Sequence, residues 1–206
     1  MNIYKKYILP KFLNFACNTK PMRYQREKIV PLAKGDILEV GIGSGLNIPF
    51  YNTSKVKKIW GLDPSEELNE MAKKISSTSS MDIEFLLAGA EQIPLPDNSV
   101  DTVLITYTIC TIPEIDFAIK EMKRVLRPEG EMIFCEHGKA PDENIVKWQN
   151  KINPYWNVIG GGCNINRDIP RLIESAGFSI NSLESMYIPS TPKILGFNYW
   201  GTAIQL

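Results

Sequence analysis

The sequence has 206 residues, of which 44% are hydrophobic, enough for one domain with a sizeable core. Its 23 basic and 23 acidic residues give a formal net charge of zero. This balance lacks the basic excess by which proteins bind phosphate backbones, so we expect no nucleic-acid partner.

The cysteines and the chain start bear on metal binding and location. The cysteines (17, 110, 135 and 163) are far apart, contain no CxxC pair, and accompany a single histidine. This spacing argues against a zinc site and predicts no metal, with reduced thiols in a cytoplasmic setting. No apolar run approaches the ~20 residues that span a bilayer. The start, MNIYKKYILPKF, lacks a signal-peptide pattern, and contact of the N-terminal helices with a membrane surface stays open.

The chain divides into two predicted parts. Residues 1–33 are predicted to form an N-terminal helical lid segment, broken by Pro10 and Pro21, and residues 34–206 form a single α/β domain. Further helices are expected near 45–51, after Ser65, over 115–126, over 141–157, and from Asp168 to Gly177. Strands are expected at 36–40, 56–62, 83–88, 100–106, 131–135, 178–187 and 196–205.

This alternation predicts the fold class. Strands alternating with helices form right-handed crossovers and therefore a doubly wound, mostly parallel sheet, here of seven strands. The last two strands have only a short connection through 189–192, so they must form an antiparallel hairpin. A ligand is expected at the carboxyl ends of the strands, near the topological switch point.

A glycine-rich loop follows the first strand, in the stretch LEVGIGSGLN at 38–47. Gly41, Gly43 and Gly45 allow positive φ and close approach of a ligand to the backbone. Asp63 follows the second strand, where a carboxylate accepts hydrogen bonds from ribose hydroxyls. Together these features indicate an adenosine-containing ligand.

The glycine spacing discriminates between two such ligands. A dinucleotide fingerprint requires GxGxxG, but Leu46 occupies the position of the third glycine. The neighbouring Glu39 suits a ligand with an ammonium or sulfonium group better than a pyrophosphate. S-adenosylmethionine carries both cations, and an NAD(P)-binding oxidoreductase is the alternative.

Four segments in register resemble the class I S-adenosylmethionine-dependent methyltransferases, a Rossmann-like family of transferases. They are EVGIGSG (39–45), GLDPSEE (61–67), AGAEQIPLPDNSVD (88–101) and EMKRVLRPEGEMIFCEH (121–137). The resemblance implies S-adenosylmethionine as cofactor, S-adenosylhomocysteine as product, and methylation as the reaction. Residues 34–206 would be the cofactor-binding domain.

The resemblance also implies roles for individual residues. Glu39 would hold the methionyl amino group, and Gly41, Gly43 and Gly45 would pass close to the cofactor. Asp63 would bind the ribose. In addition, Ala90 and Glu91 would flank the adenine, and Thr106 would face the cofactor near the transferring methyl.

The second half resembles more closely a branch of the family that includes mammalian thiol methyltransferases, through EHGKA and GGCNINRD (161–168). We therefore expect a small, largely apolar acceptor: a thiol, a phenolic oxygen or a lipid-like amine. His137 is the candidate catalytic base. Tyr107 and Cys163 are candidates for the acceptor pocket. A non-catalytic cofactor-binding protein is a further alternative, and the oligomeric state is open.

Four aromatic or basic residues are candidates for a lid over the site, because N-terminal helices often cover this edge of the sheet. The candidate lid residues are Tyr24, Arg26, Trp148 and Trp156. Aromatic residues at helical spacing also pack in cores, so both interpretations stay open.

Overall fold

The computed structural model describes residues 8–206, except for the side chain of Phe12. The predicted helical segment over 1–33 thus lies partly outside the described residues. The helices are α1 (Leu9–Cys17), α2 (Lys20–Ile29), α3 (Glu66–Ser76), α4 (Ile115–Val125), α5 (Glu143–Ile159) and α6 (Ile169–Ser175). The strands are β1 (Gly35–Val40), β2 (Val56–Leu62), β3 (Ile83–Leu86), β4 (Val100–Thr106), β5 (Leu126–His137), β6 (Phe178–Tyr187) and β7 (Phe197–Gln205).

All seven strands form one sheet in the order β3-β2-β1-β4-β5-β7-β6. The pairs from β3 through β5 are parallel, whereas β7 pairs antiparallel with both β5 and β6. The predicted fold class is therefore confirmed, including the terminal hairpin. The chain proceeds outward from β1 to β3 and then returns to β4, so the switch point lies between β1 and β4.

Two element boundaries differ from the predictions. The strand predicted at 131–135 begins earlier, because β5 starts at Leu126. The register jumps within this added part: Leu126 pairs with Val100, but Glu131 pairs with Thr102. The intervening residues bulge from the ladder, and Arg127 there forms ion pairs with Asp36 and Asp101. The predicted helix near 45–51 is only a 3₁₀ turn at Ile48–Phe50.

The sheet carries a hydrophobic core on each face, because successive side chains of a strand point to opposite sides. On one face, Leu38, Val103 and Met132 pack with the buried side of α4. On the other face, Ile37 and Ile133 pack with Ile29 of α2. The central strands are covered on both faces and are held rigidly, which fixes the loops at their ends.

The N-terminal helices lie against this domain. Asn14 of α1 accepts a hydrogen bond from the hydroxyl of Ser44 in the glycine loop at 2.6 Å. Arg26 of α2 donates to the carbonyl of Cys17 at the end of α1. Across residues 8–206, no helix combines the length and the apolar character that crossing a membrane requires.

Candidate active site

A cavity of about 320 Å³ opens at the carboxyl ends of the parallel strands. Its walls come from the loops after β1, β2, β3 and β4, and from α1. The volume falls within the ~300–1,000 Å³ typical of small-molecule sites. The cavity therefore lies where the topology predicts a ligand.

The glycine loop forms the floor of this cavity, but its three glycines act differently. Gly41, Gly43 and Gly45 have φ values of 72°, 54° and 80°, in the region that favours glycine. Gly41 and Gly43 line the cavity. A Cβ at Gly43 would meet only one atom within 4 Å, the carbonyl oxygen of Gly41, so it would project into open space.

Gly45 is not among the cavity-lining residues, in contrast to the expected close approach to the ligand. A Cβ there would lie 3.1 Å from the Cα of Ala72 in α3 and 2.9 Å from the side chain of Ile48. The reason for glycine at this position is thus close packing of the loop against a helix. In a dinucleotide fingerprint the third glycine has the same packing role, one residue later.

Asp63 lies at the end of β2 and borders the cavity. Its Oδ2 accepts a hydrogen bond from the backbone N–H of Gly43 at 3.0 Å, and its Oδ1 accepts from Ser65 at 2.8 Å. Burial raises the pKa of this carboxyl group, although both backbone hydrogen bonds oppose the shift. Each oxygen still has a lone pair for a ligand hydroxyl.

Glu39 is a second buried carboxylate in the cavity wall. Its Oε2 accepts from the Tyr51 hydroxyl at 2.7 Å, and its Oε1 accepts from Asn47 Nδ2 at 2.8 Å. Burial raises the pKa of Glu39 to about 7, while the hydrogen bonds and Arg26 act in the opposite direction. A cation entering the cavity would favour the charged form of Glu39.

The Glu39 network continues to α2 and β4. Arg26 is buried and donates from Nε to Asn47 Oδ1 at 2.9 Å, and its guanidinium lies 5.2 Å from the centre of the Tyr107 ring. The Nδ2 of Asn47 also donates to the hydroxyl of Thr106 at 2.9 Å. These contacts connect α2, the glycine loop and the end of β4.

The remaining predicted cofactor residues also border the cavity. Ala90 and Glu91 follow β3, and Thr106 ends β4. The structure thus brings all predicted cofactor residues except Gly45 to one cavity wall. Tyr107, a predicted acceptor-pocket residue, lines it too and has a positive φ of 54°.

The wall contributed by α1 is mainly apolar and contains Leu9, Pro10 and Leu13, with Asn14 and Cys17 beside them. Of the four candidate lid residues, only Arg26 lines the cavity. The side chains of Tyr24 and Trp148 are exposed.

Comparisons with known proteins identify the family of this chain. A family model described as "Methyltransferase domain" matches residues 38–134. The chain is 30% identical to the thiol S-methyltransferase TMT1A of Homo sapiens over 179 residues, which are 85% of this chain and 72% of that protein. The chain belongs to the class I S-adenosylmethionine-dependent methyltransferases. It is also 29% identical to a phosphatidylethanolamine N-methyltransferase of Cereibacter sphaeroides over 76% of this chain and 77% of that protein.

Solved structures support the fold of this methyltransferase. An S-adenosylmethionine-dependent methyltransferase from Aquifex aeolicus superposes with a TM-score of 0.65 at 18% identity, covering 96% of this chain and 98% of that one. Another from Methanosarcina mazei gives a TM-score of 0.67 at 18% identity over 83% and 92% of the two chains. At such identities the likeness establishes the fold alone.

The histidine of the methyltransferase lies apart from the cavity wall. His137 ends β5 and is half-buried, and its Nε2 lies 3.2 Å from the Sγ of Cys163. Neither residue is among those that line the cavity, although Gly161, close to Cys163 in the chain, does so. The structure therefore joins His137 and Cys163 to each other rather than to the cofactor residues.

Glu136, next to His137, is fully buried. Its Oε1 accepts hydrogen bonds from the backbone N–H groups of Thr108 and Ile109 at 2.5 and 2.9 Å. Burial raises the pKa of Glu136 to about 7, and the two backbone hydrogen bonds oppose that shift. Through these bonds Glu136 positions the loop after β4, which borders the cavity.

Sequence reasoning missed Asn47 and Tyr51 as members of the Glu39 network. In the sequence they are marked only by their proximity to the glycine loop. In the structure they flank the 3₁₀ turn at Ile48–Phe50, and from there their side chains reach Glu39. From the sequence, Arg26 is predicted only as a candidate lid residue. Its contact with Asn47 depends on how α2 packs, which the local pattern does not reveal.

Proposed function

We propose that the cavity binds S-adenosylmethionine and that the enzyme transfers its methyl group to a small, largely apolar acceptor. In this proposal Asp63 accepts hydrogen bonds from the ribose, and Glu39 interacts with the methionyl ammonium. Gly41 and Gly43 lie along the cofactor, Ala90 and Glu91 flank the adenine, and Thr106 faces the methyl group.

This proposal rests on one observation: two buried carboxylates border the same cavity, and that cavity leaves open space over the glycine loop. Glu39 and Asp63 line the same cavity, and a Cβ at Gly43 would project into it. Burial raises the pKa of both carboxyl groups in spite of their protein hydrogen bonds. A ligand cation would favour the charged form of Glu39, and ribose hydroxyls would donate to the remaining lone pairs of Asp63.

The acceptor is proposed to enter beside α1. Leu9, Pro10 and Leu13 of α1 make this part of the wall apolar. An apolar wall excludes water from the reacting sulfonium and favours an acceptor with a hydrophobic body. Alignment of the accepting atom with the methyl group is the main task of such a site.

We propose a thiol as the accepting group, because the human relative is named a thiol S-methyltransferase and matches over most of both chains. A phenolic oxygen and a lipid-like amine are the alternatives. The amine is favoured by the similarity to the phosphatidylethanolamine N-methyltransferase. The methyltransferase assignment decides against the nicotinamide-dependent oxidoreductase considered from the glycine pattern.

A thiol acceptor releases one proton as its sulfur accepts the methyl group. The role of His137 as the base for this proton stays a prediction. The distance of 3.2 Å between its Nε2 and Cys163 Sγ means that direct transfer requires the acceptor to displace this contact.

The test is transfer of labelled methyl groups from S-adenosylmethionine to a matched panel of an alkyl thiol, a phenol and a phospholipid extract. The proposal predicts label on the thiol, and loss of most of this activity in Leu13→Asp, which places a charge in the apolar wall. Leu183→Asp, at an exposed position outside the cavity, is the matched control. Label on the phenol or lipid alone would overturn the thiol assignment, and binding without transfer to any of the three would overturn the acceptor class.

A further inference from the structure

Three side chains with soft or borderline metal-ligand atoms converge beside the cavity. Cys110 lies in the loop after β4, His137 ends β5, and Cys163 lies in the loop after α5. Their ligand atoms all lie within 4.8 Å of one another. We propose that Cys110, His137 and Cys163 form a metal site for a thiophilic divalent cation, with Zn²⁺ as the ion that best matches the ligand set.

The distances fit the geometry of zinc. Zn–S bonds of about 2.3 Å and Zn–N bonds of about 2.0–2.1 Å in a tetrahedron separate two sulfurs by about 3.8 Å and a sulfur from a nitrogen by about 3.5 Å. The observed 3.2 Å between His137 Nε2 and Cys163 Sγ requires only a small expansion. Two thiolates and one imidazole are a ligand set that catalytic zinc sites use, with the fourth position free.

The surrounding contacts hold the two cysteine-bearing loops in place. The backbone N–H and the Nδ2 of Asn164 both donate to the carbonyl of Cys110, at 2.8 and 3.1 Å. The Glu136 carboxylate fixes the amides of Thr108 and Ile109, just before Cys110. The ligands therefore come from loops that are already tied to each other, as an effective metal site requires.

The electrostatic setting suits a dication. The Trp156 indole N–H lies 3.3 Å from the Cys163 sulfur and donates to it, and His137 Nε2 lies 3.2 Å from the same sulfur. Cysteine binds metal as a thiolate, so binding of a dication releases the thiol protons, and the two thiolates balance its charge.

Other charged groups face this cluster from neighbouring elements. Arg167 lies beside Cys110 and donates to the carbonyls of Ile109 and Ile112. Within residues 8–206, Glu136 Oε2 is buried without a hydrogen-bond partner, and this carboxylate interacts electrostatically with His137 and Cys163. Glu136 thus places a carboxylate beside the cluster without a hydrogen bond to the His137 ring.

Sequence reasoning predicted no metal because the cysteines are widely spaced and lack a CxxC pair. That argument applies to sites within one short segment, whereas these three ligands come from three loops at one edge of the sheet. The site is adjacent to the cavity, since Thr111 and Gly161 lie close to Cys110 and Cys163 in the chain and line the cavity. Three protein ligands leave one coordination position for water or an acceptor atom. With an ion bound, His137 Nε2 is a ligand and does not accept a proton, so the predicted role of His137 as base applies only to the metal-free protein.

The first test is titration of the full-length, reduced and chelator-treated protein with ZnCl₂ alone, against a chromophoric competing chelator, and with CoCl₂. We expect one ion per chain, and a Co²⁺ spectrum with thiolate charge-transfer and tetrahedral d–d bands. Cys110→Ser and Cys163→Ser should each weaken Zn²⁺ binding at least tenfold. Cys135→Ser should bind as the unaltered protein does, because Cys135 is buried against Tyr107 outside the cluster.

A second measurement uses the unaltered protein, so it tests the site even if a cysteine variant fails to fold. Alkylation of the unaltered protein at a mild denaturant concentration, with and without Zn²⁺, followed by peptide mass mapping, should show that Zn²⁺ slows the reaction of the buried Cys110 and Cys163 but not that of half-exposed Cys17. Absence of one-to-one binding, equal protection of all cysteines, or equal loss of binding in Cys135→Ser would overturn the site. A disulfide between Cys110 and Cys163 that persists in the presence of reductant would also overturn it. None of these measurements involves methyl transfer, so the metal site and the proposed methylation can fail separately.

Discussion

The Asp63 carboxylate accepts a hydrogen bond from the backbone N–H of Gly43 at 3.0 Å. This bond joins the end of β2 to the glycine loop after β1, so the proposed ribose-binding group and the cavity floor are fixed relative to each other. Any change at Gly43 therefore acts on the floor of the cavity, whereas a change at Gly45 acts on packing against α3.

We predict different consequences for alanine at these two glycines. Both positions have positive φ, which costs a non-glycine residue roughly 1–2 kcal/mol of stability. At Gly45 the new Cβ would also crowd Ala72 and Ile48, so Gly45→Ala should lower the free energy of unfolding more than Gly43→Ala does. Gly43→Ala should instead weaken S-adenosylhomocysteine binding more strongly. Denaturant unfolding and calorimetry measure the two effects, and the reverse order would contradict this division of roles.

The raised pKa of Glu39 predicts that cofactor affinity depends on pH. Burial raises this pKa to about 7, and a bound ammonium group favours the charged carboxylate. Affinity for S-adenosylhomocysteine, which retains the ammonium, should therefore rise with pH, by about tenfold between pH 6 and pH 8. Glu39→Gln should remove this rise, and Glu66→Gln, at the exposed start of α3, should retain it. A pH profile that is identical in Glu39→Gln would refute the assignment.

The raised pKa of Glu39 also makes folding stability depend on pH, in the direction opposite to that of cofactor affinity. Because the folded-state pKa of Glu39 lies above its ordinary value, the folded protein binds more protons between about pH 4.5 and 7. The contribution of this group to stability therefore decreases as pH rises through that window. The loss of stability and the gain in cofactor affinity can be measured on the same samples.

Tyr51→Phe provides a separate test of the Glu39 network. The Tyr51 hydroxyl donates to Glu39 Oε2 at 2.7 Å and opposes the effect of burial on the Glu39 pKa. Removing this donor should raise the Glu39 pKa further and move the midpoint of the affinity profile to higher pH. It should also lower stability by about 1–3 kcal/mol, because a buried acceptor loses its partner. An unchanged midpoint would show that the hydrogen bond does not govern Glu39.

His137→Ala tests the predicted base. If His137 removes the acceptor proton, turnover on a thiol should fall by about 10²–10⁴-fold while S-adenosylhomocysteine affinity stays nearly constant. Raising the pH should then restore part of the activity, because more of the thiol is already ionised. Full turnover in His137→Ala would show that the acceptor loses its proton by another route.

The sequence predicted the fold well because its signals are local and repeated. The apolar run before Gly41 and the acid Asp63 after the next strand define adjacent strand ends once the sheet is parallel. The contacts of Arg26 and the convergence of Cys110 with Cys163 depend on tertiary packing across long stretches of chain. No short sequence pattern predicts such long-range contacts, so only the folded structure reveals them.

The glycine loop shows in more detail what the sequence does not predict about the site. The three glycines look equivalent in the sequence, but Gly43 faces open space and Gly45 faces Ala72. The difference depends on where α3 packs. The residue type therefore predicted the backbone conformation, but not the neighbour that makes glycine necessary.

The central claim is that this cavity binds the adenosine-containing cofactor through Asp63. The most direct measurement is calorimetric titration of S-adenosylhomocysteine into the unaltered protein, Asp63→Ala, and Asp97→Ala as a control at an exposed carboxylate. Losing a charge-assisted contact costs about 1.5–3 kcal/mol, so the dissociation constant of Asp63→Ala should rise by at least about tenfold. Asp97→Ala should bind as the unaltered protein does. An unchanged dissociation constant in folded Asp63→Ala would contradict the assignment of this cavity as the cofactor site.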